Sequence, residues 1–272
     1  MPEKELILNI PVTSDTKERI IKIIKEVIQN KSPQITIFCA NPHSLVIAKY
    51  NGKFRSALKS ADILLPDGAG IVIASKFLGG SIKEKIPGPD LFLELTRQLN
   101  NSEYNYFFLG SVPKTLKRIK QRLIEEFPLI NCVGSYSPPF TPITEEENRK
   151  LIQLINKSKP DVLWVGMTAP KQEKWIWQNR SKLKVPVVAA IGAAFDFFAG
   201  TKRRAPEWLR KNNLEWLYRF IHEPARLWKR YLISTPLFLT LALFGKMLYW
   251  SNNKKNLRER NQCFRKFLVL FL

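Results

Sequence analysis

Along residues 1–200, short runs of β-branched and aromatic residues alternate with longer stretches whose apolar positions recur every three to four residues. A continuous apolar run of a few residues suits a buried strand, and the helical recurrence suits a helix with one buried face. Strands are expected at 34–39, 62–65, 104–109, 130–134, 161–165 and 186–191. Helices are expected at 15–29, 69–78, 89–100, 113–127 and 171–179, with a further one opening at Thr144. The first gathers Ile20, Ile21, Ile24, Val27 and Ile28 on one face. The Thr144 helix begins with Thr144-Glu145-Glu146-Glu147, a capping box in which the hydroxyl and the third glutamate each satisfy an orphan amide. Strand and helix in alternation predict βαβ units, and hence an α/β fold with a Rossmann-like, mostly parallel sheet and flanking helices.

The pattern changes after Gly200. Residues 201–272 interleave basic side chains with Trp208, Trp216 and Trp228, then turn apolar at 231–250 and again at 267–272. The chain therefore divides into an α/β domain, 1–200, and a basic, amphipathic, helical C-terminal appendage, 201–272. The 44 Lys and Arg outnumber the 23 Asp and Glu to give a net charge of +21, and residues 202–272 alone hold 16 of the basic and 4 of the acidic residues. Such a field draws polyanions: phosphorylated ligands, an anionic membrane surface or nucleic acid. The run 231–250 has nearly the length of a membrane span, about 20 residues, but Pro236 and Lys246 interrupt it and basic groups flank it. An interfacial or shallowly inserted hairpin is the expected form; the alternatives are a full span and a helix packed on its own domain or on a neighbouring subunit. Three scattered cysteines, Cys39, Cys132 and Cys263, make no disulfide framework and fit a reducing compartment. Residues 1–8 lack the basic flank and cleavage site of a secretory signal, so export is not expected.

In an open parallel sheet, ligands bind beyond the carboxyl ends of the strands. The residues there are Asn41 and His43, Asp67 and Gly68, Gly110 and Ser111, Tyr136, the turn 166–172, and Gly192. Gly110-Ser111 precedes a helix, whose free amides and positive end suit a phosphate. Neither G-x-G-x-x-G nor a P-loop occurs, which disfavours a nucleotide-dependent oxidoreductase on the same sheet. His43 and His222 are too isolated for a histidine metal cluster, and no Asp-x-Asp pair exists, so no metal site and no cofactor is expected. Asp67 follows an apolar strand; it is either a partly desolvated base at the crevice mouth, its pKa raised, or the cap of the next helix. The basic balance also admits a nucleic-acid-binding module, but no recognition-helix, zinc or RNA-binding motif supports one, and no nucleic-acid partner is expected.

Three groups of residues decide more: the run from Ala61 to Gly68, containing Pro66-Asp67-Gly68; Ala169-Pro170-Lys171-Gln172-Glu173-Lys174-Trp175; and Gly200-Thr201-Lys202-Arg203-Arg204-Ala205-Pro206-Glu207-Trp208 continuing through Glu215-Trp216-Leu217-Tyr218-Arg219 to Glu223-Pro224. Together they resemble the WecG/TagA/CpsF family of bacterial glycosyltransferases, in register over roughly residues 5–232. The resemblance implies an inverting, metal-independent transferase. It would move an N-acetylmannosamine-type sugar from a UDP donor onto a polyprenyl-diphosphate-linked N-acetylglucosamine, at the cytoplasmic membrane face, in cell-surface polysaccharide synthesis. It assigns the catalytic base to Asp67 and the donor sugar pocket to Asn41 and Gln172. Cys39 departs from the family, which usually carries Thr there; a thiol is the weaker donor, and the exact donor sugar is the property it touches.

The resemblance also makes the appendage a membrane-associating segment whose cations complete the site over the diphosphate, at Arg219, Arg226 and Lys229. Positions 219, 226 and 230 are spaced by seven and four, which puts them on one face of a continuous helix and lets Arg230 share the part of Lys229. Trp216, Tyr218, Phe220 and Trp228 interleave with these charges, a composition suited to a headgroup layer. A UDP-sugar, a lipid-linked acceptor and an anionic membrane surface are the expected partners, and a homo-oligomer is compatible with the reading.

Overall fold

The computed structural model describes residues 1–30, 32–139, 141 and 143–252. Leu8 and Asn9 both adopt positive φ, 50° and 61°, the conformation that closes a tight hairpin between β1 (Lys4–Ile7) and β2 (Ile10–Thr13). This hairpin was not expected, because a leucine at positive φ gives no turn signal in the sequence. Next come α1 (Lys17–Gln29), β3 (Ile35–Ala40), α2 (Pro42–Tyr50), α3 (Gly52–Lys59), β4 (Ile63–Pro66), α4 (Ala69–Leu78) and α5 (Gly88–Leu99). The domain continues with β5 (Tyr104–Gly110), α6 (Pro113–Glu126), β6 (Ile130–Tyr136), α7 (Glu145–Lys157), β7 (Val162–Gly166), α8 (Lys171–Asn179), β8 (Val187–Ala190) and α9 (Ala194–Phe198). The two helices expected between β4 and β5 are present, and two more, not placed from the sequence, separate β3 from β4. The Thr144 capping box is present, with both reciprocal hydrogen bonds formed.

Strands β3 to β8 form one six-stranded sheet in the order β4-β3-β8-β7-β5-β6. Every pairing in it is parallel, as the alternating pattern predicts. Its central strands are buried on both faces, which explains their unbroken apolar runs. Alternate residues feed two cores. Phe38, Phe107, Leu163 and Val188 join the core beneath α2, α4, α7 and α8. Ile37, Tyr106, Phe108, Trp164 and Ala189 join the one beneath α1, α5 and α6. There Phe92 packs edge-on against Trp164 and Phe198, with centroids 5.0 and 4.9 Å apart.

After Gly200 the chain forms α10 (Glu207–Lys211), α11 (Glu215–His222), α12 (Pro224–Trp228), a π-helical turn (Lys229–Ser234) and α13 (Thr235–Asn252). The expected hairpin at 231–250 is corrected to one continuous helix along 235–252. Its Phe238 is fully buried and Ala242 nearly so, one helical turn apart, in the core that holds Leu45 of α2 and Ile71 of α4. Burying this stripe on its own domain answers the hydrophobic demand that the sequence assigned to lipid. The π-helical turn lies just ahead of Pro236, whose missing N–H removes a rung of the helical ladder. Among the described residues no helix is long and apolar enough to cross a membrane. The apolar cluster 267–272 and Cys263 lie outside the described residues.

Candidate active site

Because the strands run parallel, their carboxyl ends share one edge, and residues following β3, β4, β5, β7 and β8 line a cleft of about 700 Å³ there. Cys39 and Ala40 pair with Leu65 and Pro66, so the two chains leave the sheet in step and bring Asn41 and Asp67 side by side. The Asp67 amide donates to the Ala40 carbonyl at 2.7 Å, which fixes that exit. Gly68, not Asp67, occupies the cap of α4, with φ 96° and no side-chain capping bond. The helix-cap reading of Asp67 is thereby excluded. Its half-buried carboxylate accepts no hydrogen bond among the described residues and lines the cleft.

Asn41 caps α2: its Oδ1 accepts from the Ser44 amide at 3.0 Å, while Ser44 Oγ accepts from the Asn41 amide at 2.8 Å. The cap orients the side chain and leaves Nδ2 as a donor to the cleft. Behind them the Cys39 thiol is pushed well above its usual pKa, first by burial and then by the negative charge of Asp67 and Glu173. A thiol held protonated in this way is packing material and a weak donor, not a nucleophile.

Gln172 and Glu173 open α8 and are buried, 4% and 1% exposed. Gln172 Nε2 donates to Glu173 Oε1 at 2.8 Å. Burial pushes the Glu173 carboxyl up to about 7, although this hydrogen bond pulls the other way. Gln172 Oε1 and Glu173 Oε2 are both buried without a hydrogen-bond partner.

The appendage supplies further lining: Glu215 and Arg219 of α11, Arg226 of α12, and Lys229 and Arg230 of the π-helical turn all line the cleft. The single helical face expected for Arg219, Arg226 and Arg230 is corrected. The chain breaks at Glu223, φ −136° and ψ 55°, because the residue before a proline avoids helical angles, and the cations converge from three elements. An ion-pair network seats them: Arg204 meets Asp90 at 2.6 Å and Glu215 at 3.5 Å, and Lys202 meets Glu223 at 3.1 Å. The guanidiniums of Arg204 and Arg219 both lie over the Phe197 ring, 6.0 and 5.6 Å from its centroid. His43 Nδ1 and Ser234 Oγ lie 2.8 Å apart. Burial, and then the positive charge of Arg230, lowers the His43 pKa.

Two expected residues stand outside the lining. Gly110, at φ 123°, serves close packing, since a Cβ there would meet the Gly166 carbonyl oxygen at 2.5 Å. Tyr136 ends β6 and packs against the core, and Pro138 and Pro139 reach the cleft instead. Ser111 does line it, but its amide donates to the Gly166 carbonyl at 3.1 Å and its carbonyl accepts from Ser137 Oγ at 2.7 Å. The free-amide phosphate cradle expected at Gly110-Ser111 is corrected accordingly. Cys39, Asn41, Asp67, Ser111, Gln172, Arg219, Arg226, Lys229 and Arg230 do come together. Sequence reasoning passed over Glu173, Asp196 and Glu215 as site residues. For Glu173 the signal was present: an acid in a first helical turn, next to Gln172 and just ahead of apolar Trp175 and Ile176. Among the described residues no three His, Cys, Asp or Glu side chains group where they could hold a metal ion.

A family model described as the glycosyl transferase WecG/TagA/CpsF family matches residues 6–252. The chain belongs to the WecG/TagA/CpsF family. A curated relative from Bacillus spizizenii is 34% identical over 215 residues, 79% of this chain and 80% of its own length. One from Bacillus subtilis strain 168 is 30% identical over 242 residues, covering 89% and 91%. Another from Staphylococcus aureus strain MW2 is 29% identical over 236 residues, covering 86% and 89%. All three bear the name N-acetylglucosaminyldiphosphoundecaprenol N-acetyl-beta-D-mannosaminyltransferase. As a WecG/TagA/CpsF protein the chain is a glycosyltransferase, and the matched region takes in both the sheet edge that carries Asp67 and the segment that carries the cations.

Proposed function

We propose that the protein transfers an N-acetylmannosamine-type sugar from a UDP donor to a polyprenyl-diphosphate-linked N-acetylglucosamine, with inversion and without a metal ion. The observation that carries this reading is that Asp67, a carboxylate that caps no helix, and four cations, Arg219, Arg226, Lys229 and Arg230, line one cleft. Asp67 takes the proton of the acceptor hydroxyl, whose oxygen bonds to the anomeric carbon from the face opposite the leaving group. The bond from that carbon to the diphosphate oxygen breaks, and UDP departs with the electron pair. The cations stabilise the charge that develops on the diphosphate, in place before the reaction begins. Asn41 and Gln172 hold the donor sugar, and the cleft aligns it with the acceptor. The names of the curated relatives support both the sugar and the lipid-linked acceptor.

We place the reaction at the cytoplasmic membrane surface, with residues 201–272 as the membrane-associating appendage. Support comes from the large apolar side chains it leaves exposed, among them Trp208, Ile221, Leu232 and Phe244, beside the basic excess of the chain. The decisive experiment gives the full chain UDP-N-acetylmannosamine and a synthetic lipid-diphosphate N-acetylglucosamine in the presence of a chelator. UDP release is expected, and Asp67→Asn should lower turnover at least about 100-fold while UDP still binds. Unchanged turnover in Asp67→Asn removes the base assignment, and release that requires added metal removes the metal-free mechanism.

A further inference from the structure

Gln172 Oε1 and Glu173 Oε2 are two acceptors buried side by side at the cleft with nothing to accept from. Native proteins satisfy nearly all such atoms, and an orphaned pair at a binding cleft points to a ligand that supplies the donors. The hydrogen bond between the two side chains makes the arrangement one-directional: Gln172 spends an N–H on Glu173 Oε1, so its oxygen is turned away from Glu173 and remains an acceptor. A ligand with two adjacent O–H or N–H groups matches the pair. Within a nucleotide sugar that description fits the ribose diol and the acylamino and hydroxyl groups of the transferred sugar. Position separates them. Gln172 and Glu173 line the same cleft as Cys39 and the base Asp67, and the charges of Glu173 and Asp67 both act on the Cys39 thiol, which places the pair on the side of the cleft where the sugar reacts in the proposed mechanism.

We infer that Glu173, resting on the transferase reading above, is a sugar-contacting residue of the cleft that sets donor specificity, its Oε2 accepting a hydrogen bond from the acylamino N–H or neighbouring hydroxyl of the transferred sugar. The ionised carboxylate is the better acceptor, and a carboxyl that titrates near 7 makes sugar recognition strengthen as pH rises through neutrality. Glu173 is faced by Cys39 from β3, with Asp67 beyond it. The other titratable groups of the cleft are His43, Lys171, Asp196 and the appendage residues named above. Of the elements packed on α8, β8 carries no charge, the charged residues of α3, Lys53, Arg55 and Lys59, are exposed, and the short turn Arg180–Lys182 carries Arg180, paired with Asp62 at 2.9 Å, and an exposed Lys182.

Glu173→Gln tests this. The Gln172 hydrogen bond pins the oxygen of the new amide, so an NH2 group takes the place of Oε2 and meets the sugar's donors head-on. Calorimetry on the full chain should show affinity for UDP-N-acetylmannosamine falling at least about tenfold, with affinity for UDP unchanged and the rise of affinity with pH near neutrality abolished. Wild-type protein should show a similar loss for a 2-deoxy-2-fluoro donor, which lacks the acylamino N–H, or for a 3-deoxy donor, which lacks the neighbouring hydroxyl, a measurement that does not depend on the variant's folding. Equal affinity of wild type and variant for the nucleotide sugar overturns the inference. A parallel loss for UDP alone assigns the pair to the ribose and overturns it as well. A wild-type protein that binds UDP-N-acetylmannosamine no better than UDP and transfers nothing defeats the transferase reading itself, which keeps the two failures apart.

Discussion

His43 of α2 and Ser234 of the π-helical turn share a 2.8 Å hydrogen bond that ties the sheet domain to the segment carrying Lys229 and Arg230. The lowered pKa of His43 means that the unfolded chain holds its proton to higher pH than the folded one. The histidine's contribution is therefore present above the ordinary histidine value of about 6.5 and is lost as pH falls through the depressed one. Ser234→Ala should loosen this seat by about 1 kcal/mol. Hydrogen exchange across 224–234, corrected for intrinsic rates, should quicken in the variant, and in the wild type as pH falls below the ordinary histidine value of about 6.5. Equal protection in both proteins at both pH values would contradict the linkage.

Phe238 is fully enclosed where α13 crosses α2 and α4. Phe238→Ala should cost about 3–5 kcal/mol of docking energy, and Phe238→Asp more, because an unpaired charge would be buried. Limited proteolysis should then cut between Gly200 and Thr235 while the sheet domain stays resistant, and transfer should fall with the loss of the cationic wall. Cleavage spread evenly over the chain would mean that the helix is an indispensable part of the main core.

Glu173 is held above the usual glutamate value of 4.5 in the folded protein, up to about 7. A raised acid leaves its contribution intact below the unfolded value and forfeits it as pH rises through the folded one. Glu173→Gln should accordingly be more stable than wild type at pH 8, by about 3 kcal/mol at most, and nearly equal to it at pH 4.5. Denaturant titrations at the two pH values measure this. A stability difference independent of pH would argue against the buried ionisation.

Trp216, Ile221 and Trp228 expose 44, 67 and 42% of their surface beside the cations. Replacing all three with Ser should reduce co-sedimentation with anionic vesicles about tenfold or more and leave UDP binding intact, and wild-type binding should weaken with salt. Binding that ignores both the substitutions and the salt would remove the proposed surface.

The parallel sheet was readable because Ile63-Leu64-Leu65 and Val162-Leu163-Trp164-Val165 are buried on both faces and show uninterrupted apolar runs. The site edge followed from the same fact, since parallel strands deliver Asn41, Asp67 and Gln172 to one rim. What stayed hidden depended on contacts distant in sequence. Nothing local to Phe238 distinguishes a neighbouring helix pair from lipid as its apolar partner, and Arg219 and Arg226 fit a continuous helix until the break before Pro224 is taken into account. Glu173 carried a local signal in its place beside Gln172 and ahead of apolar Trp175 and Ile176, but its depth beneath the cleft depends on how α8 packs.

Helix α2 starts immediately after Asn41, and α4 starts two residues beyond Asp67. Both pack against α13, whose Phe238 shares their core. Undocking α13 would take a packing partner from both of the helices that begin beside that amide and that carboxylate. The proposed membrane-associating appendage and the reacting rim thus lean on the same two helices.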